Sequence, residues 1–232
     1  LYASTGLLYE IQNKFSDAEK HYLIAQNMYK KILRNIFPYI TEKEKEIFLS
    51  TFLYIFESFN TFVINHKNEN ERLLDIMYNN QLTMKGILGY ESYKTIQKIS
   101  NSGNDELLSL YGEWKKQKEN FALLSCAPSD KLIYEQDVFK TLEKKINEIE
   151  KELNRKANFV FQEKNEIDIN LNDIQGNLRN NEMAIEIIRF NEYVQGSSTD
   201  RIFYSALITS QDSTKRPELI LLKNGLELEG TL

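Results

Sequence analysis

NLNDIQGNLRNNEMAIEIIRF, residues Asn170–Phe190, is the stretch in which the hydrophobic period of the chain changes. Leu171, Ile174 and Leu178 are three and four residues apart, which is helical spacing. The Asn180–Asn181 pair that follows is typical of a turn, because asparagine side chains hydrogen-bond their own backbone. The remaining run, MAIEIIRF, is compact, apolar and rich in isoleucine, which predicts a buried strand. A helical region therefore leads into a sheet at this point.

Composition limits the classes of protein to which the chain can belong. Its 232 residues are 41% hydrophobic and 12% aromatic, which is enough to fill one large or two modest cores. Nine glycines and three prolines leave few helix breakers, so long helices are expected. Acidic and basic residues are interspersed and the formal net charge is -5, which argues against a general nucleic-acid surface.

The chain shows no signal peptide and no apolar run near the length of a membrane span. We therefore expect a cytoplasmic protein that makes no membrane contact. The sequence begins with leucine and ends within a pattern. We expect it to be a piece of a longer protein.

Reactive residues are few. The single cysteine, Cys126, permits no internal disulfide and no site of several thiolates, and His21 and His66 share no metal-ligand spacing with it. A nucleophilic cysteine needs a positioned base, and nothing in the sequence brings a histidine to Cys126. The glycine-flanked stretch Lys85–Gly89 lacks a Walker pattern, so its glycines predict a close helix crossing or a kink rather than phosphate binding. We predict no catalytic, cofactor-binding or metal-binding residue in this chain.

Residues 1–36 predict two antiparallel helices joined by a turn at Asn13–Lys14, with Asn13 in left-handed geometry. Small and aromatic residues alternate on both helices: Tyr2, Gly6, Tyr9, Phe15, Ala18, Tyr22 and Ala25. This order resembles a tetratricopeptide repeat, a helix-turn-helix unit of about 34 residues that needs further repeats for stability. We expect those repeats to precede Leu1. An ordinary helical hairpin is the alternative.

A helical region is predicted over 37–179. Pro38 ends the helix pair, and Thr41–Glu44 has the form of a capping box that starts a helix extending to about Ile64. Apolar residues cover most of this helix, which predicts a central, buried hub. Further helices are expected over about 70–99, 105–124 and 130–158.

Two loops and one seam organise the later helices. Asn101–Asn104 and Ser125–Ser129 predict loops, and Trp114, between them, is interpreted as a packing anchor. The helix over 130–158 has a heptad seam, so it should pack on the hub helix or pair in a short coiled coil. The seam residues are Phe139, Leu142, Ile146, Ile149 and Leu153.

Three strands are predicted after residue 180. Met183–Phe190 is followed by a polar loop over Gln195–Asp200, and then by a second strand over Ile202–Thr209. A turn over Gln211–Arg216, closed by Pro217, leads to a third strand over Glu218–Leu222, with no helix expected after it. The predicted fold class is mainly α, a tetratricopeptide-like hairpin plus a helical bundle, followed by a short antiparallel β segment.

The order of these features resembles the front part of a CHAT protein, a caspase-like domain associated with tetratricopeptide repeats. Short sequence segments, spread over nearly the whole chain, carry the resemblance. They are Asn35–Pro38 with Thr41–Glu44, Lys85–Leu88, Leu110–Trp114, Leu142–Leu153, Asp173–Gln175 leading to Glu182–Glu186, and Tyr204–Leu207.

The resemblance implies that the β segment begins a caspase-like α/β sheet. It also implies a cysteine peptidase whose thiolate and histidine follow later strands of that sheet. No position here matches those motifs, so we expect any dyad to lie beyond residue 232. The implied domains are a last repeat at 1–36, a helical linker or bundle at 37–179 and the first caspase-like strands at 180–232.

The predicted function is that of a non-catalytic N-terminal portion of such an endopeptidase. It would bind a protein partner through its repeats and couple that partner to the peptidase sheet, while a polypeptide would be the substrate of the full-length protein. The alternative is an interaction scaffold with an inactive caspase-like domain. An enzyme complete within this chain is disfavoured, because no carboxylate spacing singles out an acid–base pair.

Overall fold

The computed structural model describes residues 1–86, 91–125, 136–161, 169–222 and 225–230. These residues are mainly helical, with one three-stranded antiparallel sheet near the C-terminal end, as predicted. The helices are α1 (Tyr2–Ile11), α2 (Phe15–Ile36), α3 (Glu42–Phe52), α4 (Tyr54–His66), α5 (Arg72–Lys85), α6 (Glu91–Ser100), α7 (Asp105–Ser125), α8 (Gln136–Phe161), α9 (Leu171–Asn177) and α10 (Gly225–Gly230). The strands are β1 (Met183–Val194), β2 (Ser197–Ser210) and β3 (Glu218–Leu222).

The chain forms two compact units, each assembled from separate segments. The first unit comprises Leu1–Leu33, Leu49–Ile87 and Glu166–Leu232, and the second comprises Arg34–Phe48 and Leu88–Asn165. The sequence-based domains, with boundaries at residues 36 and 179, describe expected functional regions rather than compact units, and they stay a prediction.

The first two helices confirm the predicted hairpin. Asn13 occupies the turn with a φ of 58°, the left-handed conformation expected there. Gly6 allows the helices to approach closely, because a Cβ at this position would lie 3.1 Å from Cδ1 of the fully buried Tyr22. Pro38 ends α2 within a single turn of 3-10 helix, Phe37–Tyr39.

The prediction of one hub helix up to about Ile64 is wrong in its length, but its prediction of a central, buried helix is confirmed. The capping box is present, since Thr41 N–H donates to Glu44 Oε2 over 3.0 Å and Glu44 N–H donates to Thr41 Oγ1 over 3.2 Å. The helix that it starts, α3, ends at Phe52, and the chain resumes as α4 at Tyr54 without a proline or glycine. Only α4 is a buried hub: every residue from Ile55 to Val63 is buried, whereas α3 buries only Lys45.

The predicted helix over 70–99 corresponds to α5 and α6, and residues 87–90 between them, including Gly89, lie outside the described part. A Cβ added to Gly86 would meet no described atom within 4 Å, so no close crossing is seen at this residue among the described atoms; the predicted close crossing or kink at Gly86 and Gly89 stays a prediction. No single described helix is long and apolar enough to cross a membrane, although α3 and α4, taken as a bent pair, meet the criteria of length and composition.

The second unit is built around α7 and α8. The Asn101–Asn104 loop caps α7, because Asn104 Oδ1 accepts the amide hydrogens of Glu106 and Leu107, each over 3.1 Å. A small core joins these helices to α6, and Trp114 packs against it as predicted. Its buried members are Ile99, Leu107, Leu153 and Ala157.

The heptad seam of α8 faces inward, with Ile146, Ile149 and Leu153 buried. Its main packing partner within this unit is α7, a helix that the prediction did not name. Residues 130–135 of the predicted helix and most of the Ser125–Ser129 loop, including Cys126, lie outside the described part.

The sheet has the order β1-β2-β3, and both pairs are antiparallel. The predicted loop over Gln195–Asp200 is wrong: β1 and β2 are joined by only Gln195 and Gly196, with φ of 51° and 86°. Two positive φ angles are the geometry of a tight type I′ hairpin turn. A short helix, α10, follows β3, contrary to the prediction of none.

One face of the sheet is buried and the other is exposed, so the predicted buried strand is wrong for half of its side chains. The buried face carries Ile188, Phe190 and Leu207, which belong to the main core of the first unit. The opposite face, here the outer face, carries Met183, Ile185 and Ile187, which are 69%, 57% and 50% exposed. Ile220 and Leu222 of β3 continue this apolar outer face at 41% and 40% exposure.

Candidate functional site at the helix–sheet junction

The two histidines occupy structural positions in the first unit. His21 lies 4.9 Å from the ring of Tyr9, and its Nδ1 lies 2.8 Å from the carbonyl oxygen of Asp17. His66 packs between the rings of Phe15 and Phe62, at 4.1 Å and 4.7 Å. The single cysteine, Cys126, is not among the described residues. Those residues contain no group of three or more His, Cys, Asp or Glu side chains placed to hold a metal ion.

The second unit has a shallow surface depression of about 330 Å³ lined largely by lysine and glutamate. Most of its charges pair with one another or with neighbours: Lys43 lies 2.7 Å from Glu143, and Lys151 lies 2.7 Å from Glu44. Exposed, mutually paired charges of this kind are typical of a solvated helix surface. We do not assign a site there.

The best-defined arrangement in the molecule is the junction between helices and sheet in the first unit. A single hydrophobic core extends from the hairpin through α4 and α5 to the buried face of the sheet. Each layer contributes fully or nearly fully buried side chains to it. They include Ala18 and Tyr22 from α2, Phe59, Phe62 and Val63 from α4, Met77 and Tyr78 from α5, Leu171 from α9, and Ile188, Phe190 and Leu207 from the sheet.

Two polar side chains of α4 bind the backbone of β1 directly. Glu57 Oε1 accepts a hydrogen bond from the Asn191 backbone amide over 3.0 Å and from Asn191 Nδ2 over 3.2 Å. Thr61 Oγ1 accepts one from the Tyr193 amide over 3.1 Å. The register of β1 against β2 shifts between these two residues, which marks a β-bulge. We call Glu57, Thr61, Asn191 and Tyr193 the strand clamp.

The strand clamp contains a buried carboxylate. Glu57 is only 4% exposed, and burial raises the pKa of its carboxyl group, while the amide of Asn191 and the charge of Arg189 oppose the rise. Burial outweighs these partners because removing an ionised carboxylate from water costs more than one or two hydrogen bonds return. Thr61 avoids this cost: its hydroxyl donates to the Glu57 carbonyl over 3.0 Å and accepts from Tyr193.

A second polar anchor joins α9 to the far end of β2. Asn170 and Asp173 form a capping box that starts α9, and the Leu171 amide donates to Asn79 Oδ1 of α5 over 2.7 Å. Gln175 is 1% exposed, and its Nε2 donates to Thr209 Oγ1 over 2.9 Å. The same amide reaches the carbonyl oxygen of Lys215 over 3.1 Å, so one side chain holds both β2 and the turn before β3.

The hairpin and the sheet also meet at the β1–β2 turn. A Cβ added to Gly196 would lie 2.9 Å from Cδ2 of Leu7 in α1. The C-terminal end of α5 contacts β1 through an ion pair between Lys85 and Glu186. The first unit therefore connects hairpin, hub and sheet by apolar packing, backbone hydrogen bonds and charge.

In this arrangement α4 contacts the hairpin on one side and holds the β1 backbone on the other. Sequence reasoning identified the apolar hub but missed the clamp. A signal was present: Glu57, Ser58, Asn60 and Thr61 are polar residues inside a helix that is otherwise apolar nearly all round. Buried polar groups require partners, so such residues point to a contact that an apolar pattern cannot show.

Comparison of the chain with protein-family models, with curated proteins and with solved structures gave no match.

Proposed function

We propose that this chain is the non-catalytic N-terminal portion of a CHAT-type caspase-like cysteine endopeptidase, in which a helical hairpin binds a protein partner and a hub helix couples that partner to the peptidase sheet. The observation that carries the coupling is the continuous core of the first unit, together with the strand clamp. A displacement of the hairpin must be accommodated by this core, and close-packed cores transmit strain.

The surface of the hairpin supports the binding part of the proposal. Leu8 and Ile11 of α1 are 57% and 53% exposed, and Met28 and Ile32 of α2 are 48% and 41% exposed. A helical repeat buries such side chains against a neighbouring repeat or a bound partner. The tetratricopeptide assignment and the partner itself belong to the proposal.

Coupling within the chain is tested by hydrogen exchange. Tyr22→Leu opens space in the core on the side of the hairpin, and we expect faster exchange of the β1 amides around Ile188. The matched control is Ile11→Ala, an exposed apolar residue of the same hairpin. Faster exchange confined to α1 and α2 in the Tyr22→Leu protein would show that the hairpin and the sheet are not coupled.

The peptidase assignment has a separate test. We expect purified residues 1–232 to cleave no member of a broad peptide library, and cleavage that is lost in a Cys126→Ala protein would contradict this. The second candidate function, an interaction scaffold with an inactive caspase-like domain, shares the coupled core. A histidine after one later strand and a cysteine after the next, encoded beyond Leu232, would favour the peptidase, and their absence would favour the scaffold.

A further inference from the structure

In the second unit, a row of polar side chains on α8 binds the main chain at the start of α3 and just before it. Glu150 Oε1 accepts a hydrogen bond from the Glu42 backbone amide over 2.8 Å. One turn further along α8, Asn154 Nδ2 donates to the Ile40 carbonyl oxygen over 3.0 Å. Asn158, a further turn along, donates to another backbone carbonyl oxygen of this segment over 2.5 Å. Side chains four residues apart lie on one helix face, so the row fixes where α3 begins against α8.

Glu150 is the member of this row that can ionise, and its side chain is enclosed. It is only 6% exposed. The charges that act on it come from two other elements, the like charge of Glu42 on α3 and the opposite charge of Lys118 on α7. Lys118 Nζ lies 2.5 Å from Glu42 Oε2, so a single ammonium group serves two neighbouring carboxylates.

The remaining charged side chains of α3 that lie near α8 have their own partners. They are Lys43 with Glu143 and Glu44 with Lys151, each pair 2.7 Å apart, and Lys45, whose ammonium group lies 5.9 Å from the centroid of the Phe37 ring. Compensation of the Glu150 charge therefore depends on Lys118.

Burial and like charge both favour the protonated form of Glu150. Burial raises the pKa of its carboxyl group most, and the Glu42 carboxylate adds to the rise. The Glu42 amide, Lys118 and the indole of Trp114 oppose it. A protonated carboxyl group keeps a carbonyl oxygen that can accept the Glu42 amide, so the hydrogen bond does not require the charge. Ionisation adds the cost of a buried charge beside a second carboxylate.

We infer that Glu150 is a proton-sensitive contact of the second unit, which binds the start of α3 more tightly to α8 when it is protonated and less tightly when it is ionised. The sign follows from the raised pKa in the folded state. The stability contributed by protonated Glu150 is fully present below about pH 4.3, the pKa of an exposed glutamate, and is lost as the pH rises through the folded-state pKa. Lys118 limits the loss, because it compensates the ionised form.

The chain carries its own reporter for this contact. Trp114 is its single tryptophan, and Lys118 Nζ lies 5.2 Å from the centroid of a Trp114 ring. Tryptophan fluorescence of the full chain, measured as a function of pH, should show a transition with a midpoint above about pH 4.3. Glu150→Gln should abolish this transition. The matched control is Glu148→Gln, the same change on the same helix at a side chain that is 66% exposed, and it should leave the transition in place.

Two further variants test the charges that act on Glu150. Lys118→Met removes the compensating cation, so the midpoint should move to higher pH. Glu42→Gln removes the like charge and retains the backbone amide, so the midpoint should move to lower pH. Loss of structure does not produce shifts in opposite directions, and either variant alone still tests its own charge if the other fails to fold.

Hydrogen exchange at the Glu42 amide provides a local readout. After correction for the intrinsic pH dependence of exchange, its protection should rise as the pH falls through the fluorescence midpoint, in the wild type but not in Glu150→Gln. A wild-type midpoint at or below about pH 4.3 would overturn the inference. The same conclusion would follow from a transition that persists in Glu150→Gln, or from a midpoint that neither Lys118→Met nor Glu42→Gln moves.

Discussion

Replacement of Glu57 tests whether α4 holds β1 through a specific acceptor. Glu57→Ala removes the oxygen that accepts the Asn191 amide 3.0 Å away, in a position where the original side chain is only 4% exposed. Leaving a buried amide without an acceptor costs about 1–3 kcal/mol. Glu57→Gln keeps an oxygen in the same place and removes the buried charge. We therefore expect Glu57→Ala to be destabilised by about 1–3 kcal/mol and Glu57→Gln to match or exceed the wild type at neutral pH.

The pH dependence gives the sign of the electrostatic contribution. Burial raises the pKa of Glu57 in the folded state above the value of about 4.3 that an exposed glutamate has. Protonated Glu57 therefore contributes stability that is fully present below about pH 4.3 and is lost as the pH rises through the folded-state pKa. Between about pH 4.3 and the folded-state pKa of Glu57, the free energy of unfolding of the wild type should therefore fall relative to that of Glu57→Gln.

Urea unfolding followed by far-UV circular dichroism at several pH values measures both effects, and hydrogen exchange at the Asn191 amide shows whether the change is local. Thr61→Val serves as a near-isosteric comparison, because it removes the acceptor for the Tyr193 amide without burying or removing a charge. Equal destabilisation by Glu57→Gln and Glu57→Ala would refute the reasoning, since it would mean that the carboxylate charge, not the acceptor oxygen, holds the strand.

Two further predictions concern packing and the second anchor. Gly6→Ala places a Cβ 3.1 Å from the buried ring of Tyr22 and should destabilise the folded protein. Gly112→Ala in α7, where the added Cβ meets no described atom within 4 Å, should stabilise it by about 0.5–1 kcal/mol through helix propensity. Thermal unfolding compares the two variants, and stabilisation by both would contradict close helix packing at Gly6. Gln175→Glu removes the amide that donates to Thr209 and Lys215 and places a carboxylate beside a carbonyl oxygen. It should therefore destabilise the folded protein by about 1–3 kcal/mol and speed hydrogen exchange in the Gln211–Arg216 turn. Unchanged hydrogen exchange there would show that Gln175 does not hold the turn.

Features set by residues close in sequence were predictable. The left-handed Asn13, the capping box of Thr41 and Glu44, and the helix preceding the Asn180–Asn181 turn are local, and each is confirmed. The turn at Gln195–Gly196 was missed because glutamine seldom takes the positive φ that it has there. The end of α3 at Phe52 carries no breaker residue, so only tertiary packing can place it.

The candidate site was predictable only in its apolar half. Phe59 and Phe62 identify a buried hub from their spacing alone, and both are buried. The partners of Glu57 and Thr61 lie far away in the sequence, on β1, and no local pattern connects them. Likewise, the spacing in β1 shows which residues share a face, but it does not show that Met183, Ile185 and Ile187 face outward.

The first unit is discontinuous, and this constrains the order in which the chain can fold. Its core joins Ala18 and Tyr22, made early by the ribosome, to Leu207 and Leu219, made late. During synthesis the apolar surfaces of α2 and α4 therefore stay uncovered until the sheet has been made. The segments of the second unit are synthesised between those of the first. Long-range contacts of this kind slow folding, because a long loop must close before they form. No single contiguous fragment shorter than most of the chain can reproduce this unit, so limited truncation from either end should expose its core rather than yield a smaller folded domain.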